Sequence, residues 1–273
     1  MAAPVVRESR AVTSTRLEHD RGAFPTLRTF LRHWLAHRRL KAGDRSIRTT
    51  DPPAVSRAYD AMSPSEFEAI NGPQDWLNRR VIPRVLASID RGRPWRIVDL
   101  GCGNGGSARI LAQHAPPGSS VIGYDLCGER IAQARQRALR DAAGSRVAAR
   151  FVCQSMLEPL QDPDGGVLAD RSVDVAHAAG VVGHHLRAAD VRVLAAELQR
   201  VLAADGIAVL DAGPRLPPRA LTRTMAEMGF KRIACRRLIP FATRAALVFR
   251  WRDAQRPRRS RSAEPSLPGR TAP

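Results

Sequence analysis

The chemistry of this chain concentrates in residues 97–106, Ile-Val-Asp-Leu-Gly-Cys-Gly-Asn-Gly-Gly. An apolar run that ends in closely spaced glycines and leads into a helical pattern reads as strand, tight turn and helix. At such a junction the first backbone N–H groups of the helix point at whatever occupies the turn, and glycine leaves no side chain in the way. Gly101, Gly103 and Gly105 supply that bare turn, with Cys102 and Asn104 between them. Because Gly106 follows, the segment also satisfies G-x-G-x-x-G, so glycine spacing alone admits a nicotinamide or flavin dinucleotide. Asp99, two residues before the first glycine, points elsewhere. A pyrophosphate wants a bare anion site, whereas a carboxylate suits a ligand with a cationic amino group.

Two further runs carry candidate groups. Asp125 closes Val121-Ile122-Gly123-Tyr124-Asp125-Leu126, and an acid at the carboxyl end of such a strand can accept hydrogen bonds from both hydroxyls of a ribose. That marks a nucleoside without naming a reaction. Helix capping explains Asp125 less well, because Cys127 and Gly128 separate it from the next helical pattern. Farther on, His177-Ala178-Ala179-Gly180-Val181-Val182-Gly183-His184-His185 ends in a histidine pair. Histidine exchanges a proton near neutral pH, so His184 or His185 is a candidate general base. A helix-capping or surface histidine fits the same positions.

These groups need a frame. From residue 96 onward apolar runs alternate with helical patterns, the mark of βαβ units around a parallel sheet. The spacing predicts strands at 96–100, 120–125, 148–154, 172–178 and 206–211, and helices at 105–114, 128–142 and 188–203. Residues 157–171, rich in Asp, Pro and Gly, read as a loop with little or no helix. A helix at 218–228 then leads to a strand pair, 230–238 and 244–251, joined through Pro240. Upstream, Leu27, Phe30, Leu31, Trp34 and Leu35 recur at helical spacing, an amphipathic stripe that packs on the core or, given its basic flank, meets a membrane surface or partner. The chain breaks at 50–53, and Ser63-Pro64-Ser65-Glu66 starts a helix as N-cap, proline at the first helical position and acid in the first turn. A second break is predicted at Asn71-Gly72-Pro73, followed by a helix over 75–89 that Pro83 should bend or interrupt.

The domain reading is a mobile basic tail at 1–22, a helical lid region at 23–93, the α/β domain at 94–252 and a disordered basic tail at 253–273. The net charge of +18 is uneven, at +7 for residues 1–50, 0 for 51–95, −1 for 96–213 and +12 for 214–273. Basic ends admit nucleic acid, but a neutral centre and an arginine-rich, lysine-poor composition also fit codon bias, which is preferred here. The four cysteines are scattered without C-x-x-C, against a zinc site or a disulfide framework, and are read as reduced and structural; no metal is expected. No apolar run approaches the roughly 18 residues of a membrane span. The start lacks a continuous apolar core of a secretory signal, so a cytoplasmic setting is expected.

Taken in order, Val-Asp-Leu-Gly-Cys-Gly-Asn-Gly at 98–105, Tyr124-Asp125 and Leu-Gln-Arg-Val-Leu-Ala-Ala-Asp-Gly at 198–206 make residues 96–213 resemble a class I SAM-dependent methyltransferase domain. The resemblance implies a Rossmann-like doubly wound sheet of five parallel strands with a C-terminal antiparallel pair. It implies S-adenosyl-L-methionine as cofactor, S-adenosyl-L-homocysteine as product and a small-molecule acceptor, with an RNA acceptor or a non-catalytic SAM-binding protein as alternatives. It places Asp99 and the turn Gly101, Cys102, Gly103, Asn104 and Gly105 at the methionine end, and Asp125 and Leu126 at the ribose. Ser155 and Met156 fall at the adenine and Ala178 at the fourth strand's exit, and Tyr59 is a lid contact. Many relatives have an aspartate where Ser155 stands, which weakens the hydrogen bond to the adenine amino group. The fourth exit lacks the Asn/Asp-Pro-Pro-Tyr run of nucleic-acid amine methylation and the Pro-Cys nucleophile of cytosine chemistry.

Overall fold

The structure is a computed structural model, and it describes residue 35 and residues 50–89, 92–237 and 245–251. Both expected tails, the turn at Pro240 and the amphipathic helix around residues 27–35, apart from Leu35 itself, lie outside the described residues.

The break expected at 50–53 is itself a helix start. Asp51 accepts from the Ala54 N–H at 3.1 Å and Pro52 takes the first helical position, opening α1, Pro52–Asp60. Helix α2, Pro64–Leu86, begins as the sequence predicts, with a reciprocal capping box between Ser63 and Glu66. It then departs from expectation by running unbroken through Asn71-Gly72-Pro73 and past Pro83. Its second half buries Leu77, Val81, Ile82, Val85 and Leu86 against the sheet and the helix after β1. At about 1.5–3 kcal/mol per buried aliphatic side chain, that packing outweighs the roughly 3 kcal/mol of an interior proline.

The α/β unit follows the expected alternation. Its elements are β1 Arg96–Leu100, α3 Gly106–His114, β2 Ser120–Asp125, α4 Gly128–Arg135, β3 Ala148–Cys153, β4 Val173–Ala178, α5 Val182–His185, α6 Ala188–Val201, β5 Leu202–Ala212, α7 Pro218–Glu227, β6 Phe230–Arg237 and β7 Ala245–Trp251. The seven strands stand in the order β3-β2-β1-β4-β5-β7-β6. Strands β1 to β5 are parallel and β7 inserts antiparallel between β5 and β6. This is the Rossmann-like sheet with an antiparallel C-terminal pair that the resemblance implies. Three local differences have local causes. Helix α4 stops seven residues short of residue 142, because Asp141 draws the Ala143 and Ser145 N–H groups into a turn and Leu139 is buried. Strand β5 begins four residues before residue 206, directly after α6. The short α5 was not expected, while the segment 157–171 contains no helix, as predicted.

Strand alternation divides the core between the two sheet faces. On one face Ile97, Val121, Val175, Ile207 and Val209 meet α2, α3 and α4. On the other, Val98, Ile122, Ala176, Ala208 and Leu210 meet Val191, Leu194 and Leu198 of α6 and Leu221 and Met225 of α7. No helix among the described residues is long and apolar enough to cross a membrane.

Candidate functional site

The site forms at the carboxyl ends of β1 to β4, under α1 and α2. A cavity of about 810 Å³ is walled by Gly101, Gly103, Asp125, Leu126, Ser155, Met156, Val181 and His185 from the α/β unit and by Val55, Tyr59 and Phe67 from the two N-terminal helices. A second, more polar cavity of about 950 Å³ shares the glycine turn and Phe67 and is bounded by Cys102, Asn104, Ser107, Asn71 and Gln74. The turn separates the two.

The turn needs glycine in the strict sense. Gly101 has φ +70° and Gly103 φ +52°, in the left-handed region where a side chain is strained. A Cβ on Gly101 would stand 2.3 Å from Val181 Cγ2, and one on Gly103 2.8 Å from Phe67 Cζ. Glycine is therefore required at both positions, because Val181 and Phe67 pack directly on the backbone of the turn. Asp125 braces the same turn, its Oδ2 accepting from the Gly103 N–H at 2.8 Å and its Oδ1 from the Cys127 N–H at 2.9 Å. Burial holds the Asp125 carboxyl above the usual range, against the lowering effect of those two N–H donors. Cys102 and Cys127 are likewise kept as thiols, chiefly by burial.

Asp99 occupies a different place from the one its spacing suggested. Being the penultimate residue of β1, it shares the face of Ile97 and falls in register beside His177 of β4. It is 1% exposed; its Oδ1 lies 2.7 Å from His177 Nδ1 and its Oδ2 accepts from Ser107 Oγ at 2.6 Å. It belongs to the wall of neither cavity. Gly105 caps α3 in a left-handed conformation and Ala178 is buried in β4, so the walls continue instead through Gly106 and Ala179.

At the third exit, Ser155 and Met156 both reach the first cavity, and the Ser155 hydroxyl accepts from the Leu157 N–H at 3.1 Å. The fourth exit separates the histidines. His185 is on the cavity wall with Nε2 3.2 Å from the Tyr59 hydroxyl, the two rings edge to face at 5.7 Å. Burial raises the Tyr59 hydroxyl above its ordinary range, with smaller contributions from Cys127 and Asp125, so the phenol keeps its proton. His184 points away, toward Asp211, with Nε2 4.0 Å from a carboxylate oxygen.

Three groups that the sequence reading did not single out organise this place. Asp211, at the end of β5, accepts from the Val181, Val182 and Gly183 N–H groups at 3.1, 2.9 and 3.2 Å and so fixes the β4–α5 turn. Its position at a strand's carboxyl end was a usable signal. Phe67 and Arg130 carried none, since an aromatic or an arginine inside a helix reads as core or surface until the partner element is known.

The comparisons bear on this geometry. Residues 97–206 match the family model described as a methyltransferase domain. A trans-aconitate 2-methyltransferase of Acidovorax ebreus is 41% identical over 66 residues, covering 23% of this chain and 25% of the relative. A 23S rRNA uracil-C(5) methyltransferase of Thiobacillus denitrificans is 34% identical over 95 residues, covering 35% and 20%. The chain thus spans a third or less of the length of these curated relatives. Among solved structures, the magnesium protoporphyrin IX methyltransferase of Synechocystis with bound SAM superposes with a TM-score of 0.55 at 18% identity, over 74% of this chain and 97% of that one, a likeness of fold. Residues 97–206, with their glycine turn and the acid closing β2, thus match a methyltransferase domain, and the sheet shares the fold of a SAM-bound methyltransferase.

Proposed function

We propose that the chain is a SAM-dependent methyltransferase with a small-molecule acceptor. The observation that carries the reading is the cavity in which the bare glycine turn, Asp125 and His185 face one another beneath α1 and α2. The residues present fit the cofactor: the backbone of Gly101 and Gly103 borders the cavity without side chains of its own, and Asp125 is a half-buried acceptor on the same wall with oxygen lone pairs beyond its two backbone bonds. When bound, the cofactor supplies a methyl group on a sulfonium, open to in-line attack by a nucleophile. In this reading Asp125 and Leu126 hold the ribose, and Ser155 and Met156 the adenine. The turn Gly101, Cys102, Gly103, Asn104 and Gly105 holds the methionine end, with Asp99 acting from beneath through Ser107. Tyr59 contributes from the lid region. A wall built from Val55, Phe67, Met156 and Leu157 suits an apolar acceptor body, and roofing by two helices suits a small one.

Positioning supplies most of the acceleration of such a displacement. For an acceptor that carries a proton, His185 is the base, because it faces the cavity and a protonated Tyr59 hydroxyl orients its ring. Calorimetric titration with adenosylhomocysteine and, separately, NADH tests the cofactor class; binding of the nicotinamide alone overturns it. Turnover of His184→Ala and His185→Ala across pH tests the base, and an unchanged pH profile in His185→Ala refutes that role.

RNA methylation is a second reading, favoured by one feature. The exposed Arg135, Arg137, Arg146 and Arg150 line a groove at the β3 edge, and Arg137 also borders the second cavity. A basic surface that reaches a site is what a phosphate backbone requires. A gel shift with rRNA that weakens as salt rises supports it; no shift at low salt removes it.

A further inference from the structure

Arg130, in the first turn of α4, is the largest fully buried side chain of the described residues, at 1% exposure. No carboxylate among the described residues pairs with it. Asp125 turns its oxygens to the Gly103 and Cys127 amides, and Asp60 accepts from Ser56 Oγ and the Glu129 N–H. A buried cation without a counter-ion is costly unless something else carries opposite charge.

Here the opposite charge is the end of a helix. One terminal nitrogen of the guanidinium donates to the Tyr59 carbonyl at 2.9 Å and to the Met62 carbonyl, and the other to Gln133 Oε1 at 3.1 Å. Tyr59, whose carbonyl also accepts from the Met62 N–H at 3.3 Å, lies in the last turn of α1 and Met62 just beyond it, where the carbonyl groups carry the negative end of the helix dipole. Arg130 therefore caps α1 from another element. Its guanidinium carbon also stands 4.6 Å from the centroid of the Phe67 ring, in the first turn of α2, so one side chain holds both helices at the corner between them.

That corner faces the site. Phe67 lies against Gly103, so close that a Cβ there would meet its ring. Its ring also meets Tyr59 edge to face at 6.1 Å, and Tyr59 in turn meets His185. Of the other ties of α1, Ser56 Oγ to the Leu126 carbonyl and Cys127 Sγ to the Ser56 carbonyl hold its middle, and the Glu129 N–H to Asp60 Oδ1 at 3.3 Å joins Arg130 at its end.

We infer that Arg130 is a positioning residue for the acceptor side of the site: by capping α1 and stacking on Phe67 it sets Phe67 on the glycine turn and Tyr59 on His185. Arg130 also borders the first cavity, and the role assigned to it here runs through these two side chains. The inference rests on the methyltransferase reading above for its meaning, but its geometry can be tested separately.

The test compares the full chain with Arg130→Met, which keeps length and loses every donor, and with Arg130→Lys. Three quantities are measured: amide hydrogen exchange, the imidazole ¹⁵N signals of His185 (assigned with His185→Ala), and adenosylhomocysteine affinity. In Arg130→Met, exchange across residues 59–67 should accelerate at least tenfold while amides of β1, β2 and β4 keep their rates. The His185 signals should move toward those of Tyr59→Phe, and Arg130→Lys should fall between. Exchange at 59–67 within twofold of the parent together with unshifted His185 signals overturns the inference. Acceleration spread evenly over the sheet in both variants also overturns it, by making Arg130 a general stability residue. If Arg130→Met does not fold, Arg130→Lys decides by the same readings. Failure of the parent chain to bind adenosylhomocysteine strikes the methyltransferase reading alone, since exchange and the His185 signals still report on Arg130.

Discussion

Replacement of Gly101 by alanine puts the central feature of the site to the test, because the structure gives both parts of its cost. At φ +70° an L side chain costs about 1–2 kcal/mol relative to glycine. The new Cβ would stand 2.3 Å from Val181 Cγ2, closer than non-bonded carbons come, so Val181 must give way. It cannot do so freely, since its own N–H and the two that follow are held by Asp211. Overpacking of this kind costs about 1–3 kcal/mol. Gly101→Ala is therefore expected to lose roughly 2–5 kcal/mol, a large share of an ordinary domain's stability. Urea unfolding followed by circular dichroism measures it, with adenosylhomocysteine calorimetry alongside, where affinity should fall with Val181 displaced into the cavity. The matched control is Gly128→Ala. An added Cβ there meets nothing within 4 Å and sits at the first residue of α4, so stability should stay within about 1 kcal/mol of the parent, on the stabilising side. A Gly101→Ala protein as stable as Gly128→Ala, with undiminished affinity, would refute the claim that the turn requires glycine beside Val181.

Other consequences follow from single residues. His177→Ala strips Asp99 of one of its two partners and leaves a buried carboxylate on Ser107 alone; a loss of about 3 kcal/mol in chemical unfolding is expected, and a loss under about 1 kcal/mol would show that Asp99 is not held this way. Burial, the largest influence on Asp125, raises its folded pKa, so its contribution to stability is full below the unfolded value of about 3.9 and is lost as pH rises through the folded value. Ligand binding runs the other way. Ribose hydroxyls donate to the ionised form, so adenosylhomocysteine affinity should fall as pH drops through the same pKa, and Asp125→Asn should flatten that dependence in calorimetry. Ser63→Ala removes the capping box of α2 and should cost about 1 kcal/mol, read as a melting point lower by roughly 2–4 °C.

Much of the fold could be read from local pattern, because a parallel sheet buried on both faces forces short apolar runs between helical ones. The β1 and β2 boundaries agree residue for residue, and the capping box at Ser63 starts α2 where local chemistry says it must. The α1 start was present as Asp51-Pro52 yet read as a break, since the same residues that begin helices also end them. The glycine turn and Asp125 were legible as well, because backbone conformation and strand ends are local matters. What the sequence could not determine is which side chain faces which. Asp99 looked like a cavity acid until strand register set it beside His177 and under Ser107. The histidine pair looked equivalent until α5 turned His185 to Tyr59 and His184 to Asp211. The breaks at Gly72-Pro73 and Pro83 were real local costs, overridden by the apolar face that α2 buries on the sheet and α3. Pairings such as Arg130 with the end of α1 join residues about 70 positions apart. Local spacing fixes the elements and the turn, but only tertiary packing decides which buried charges meet, because their partners come from other parts of the chain.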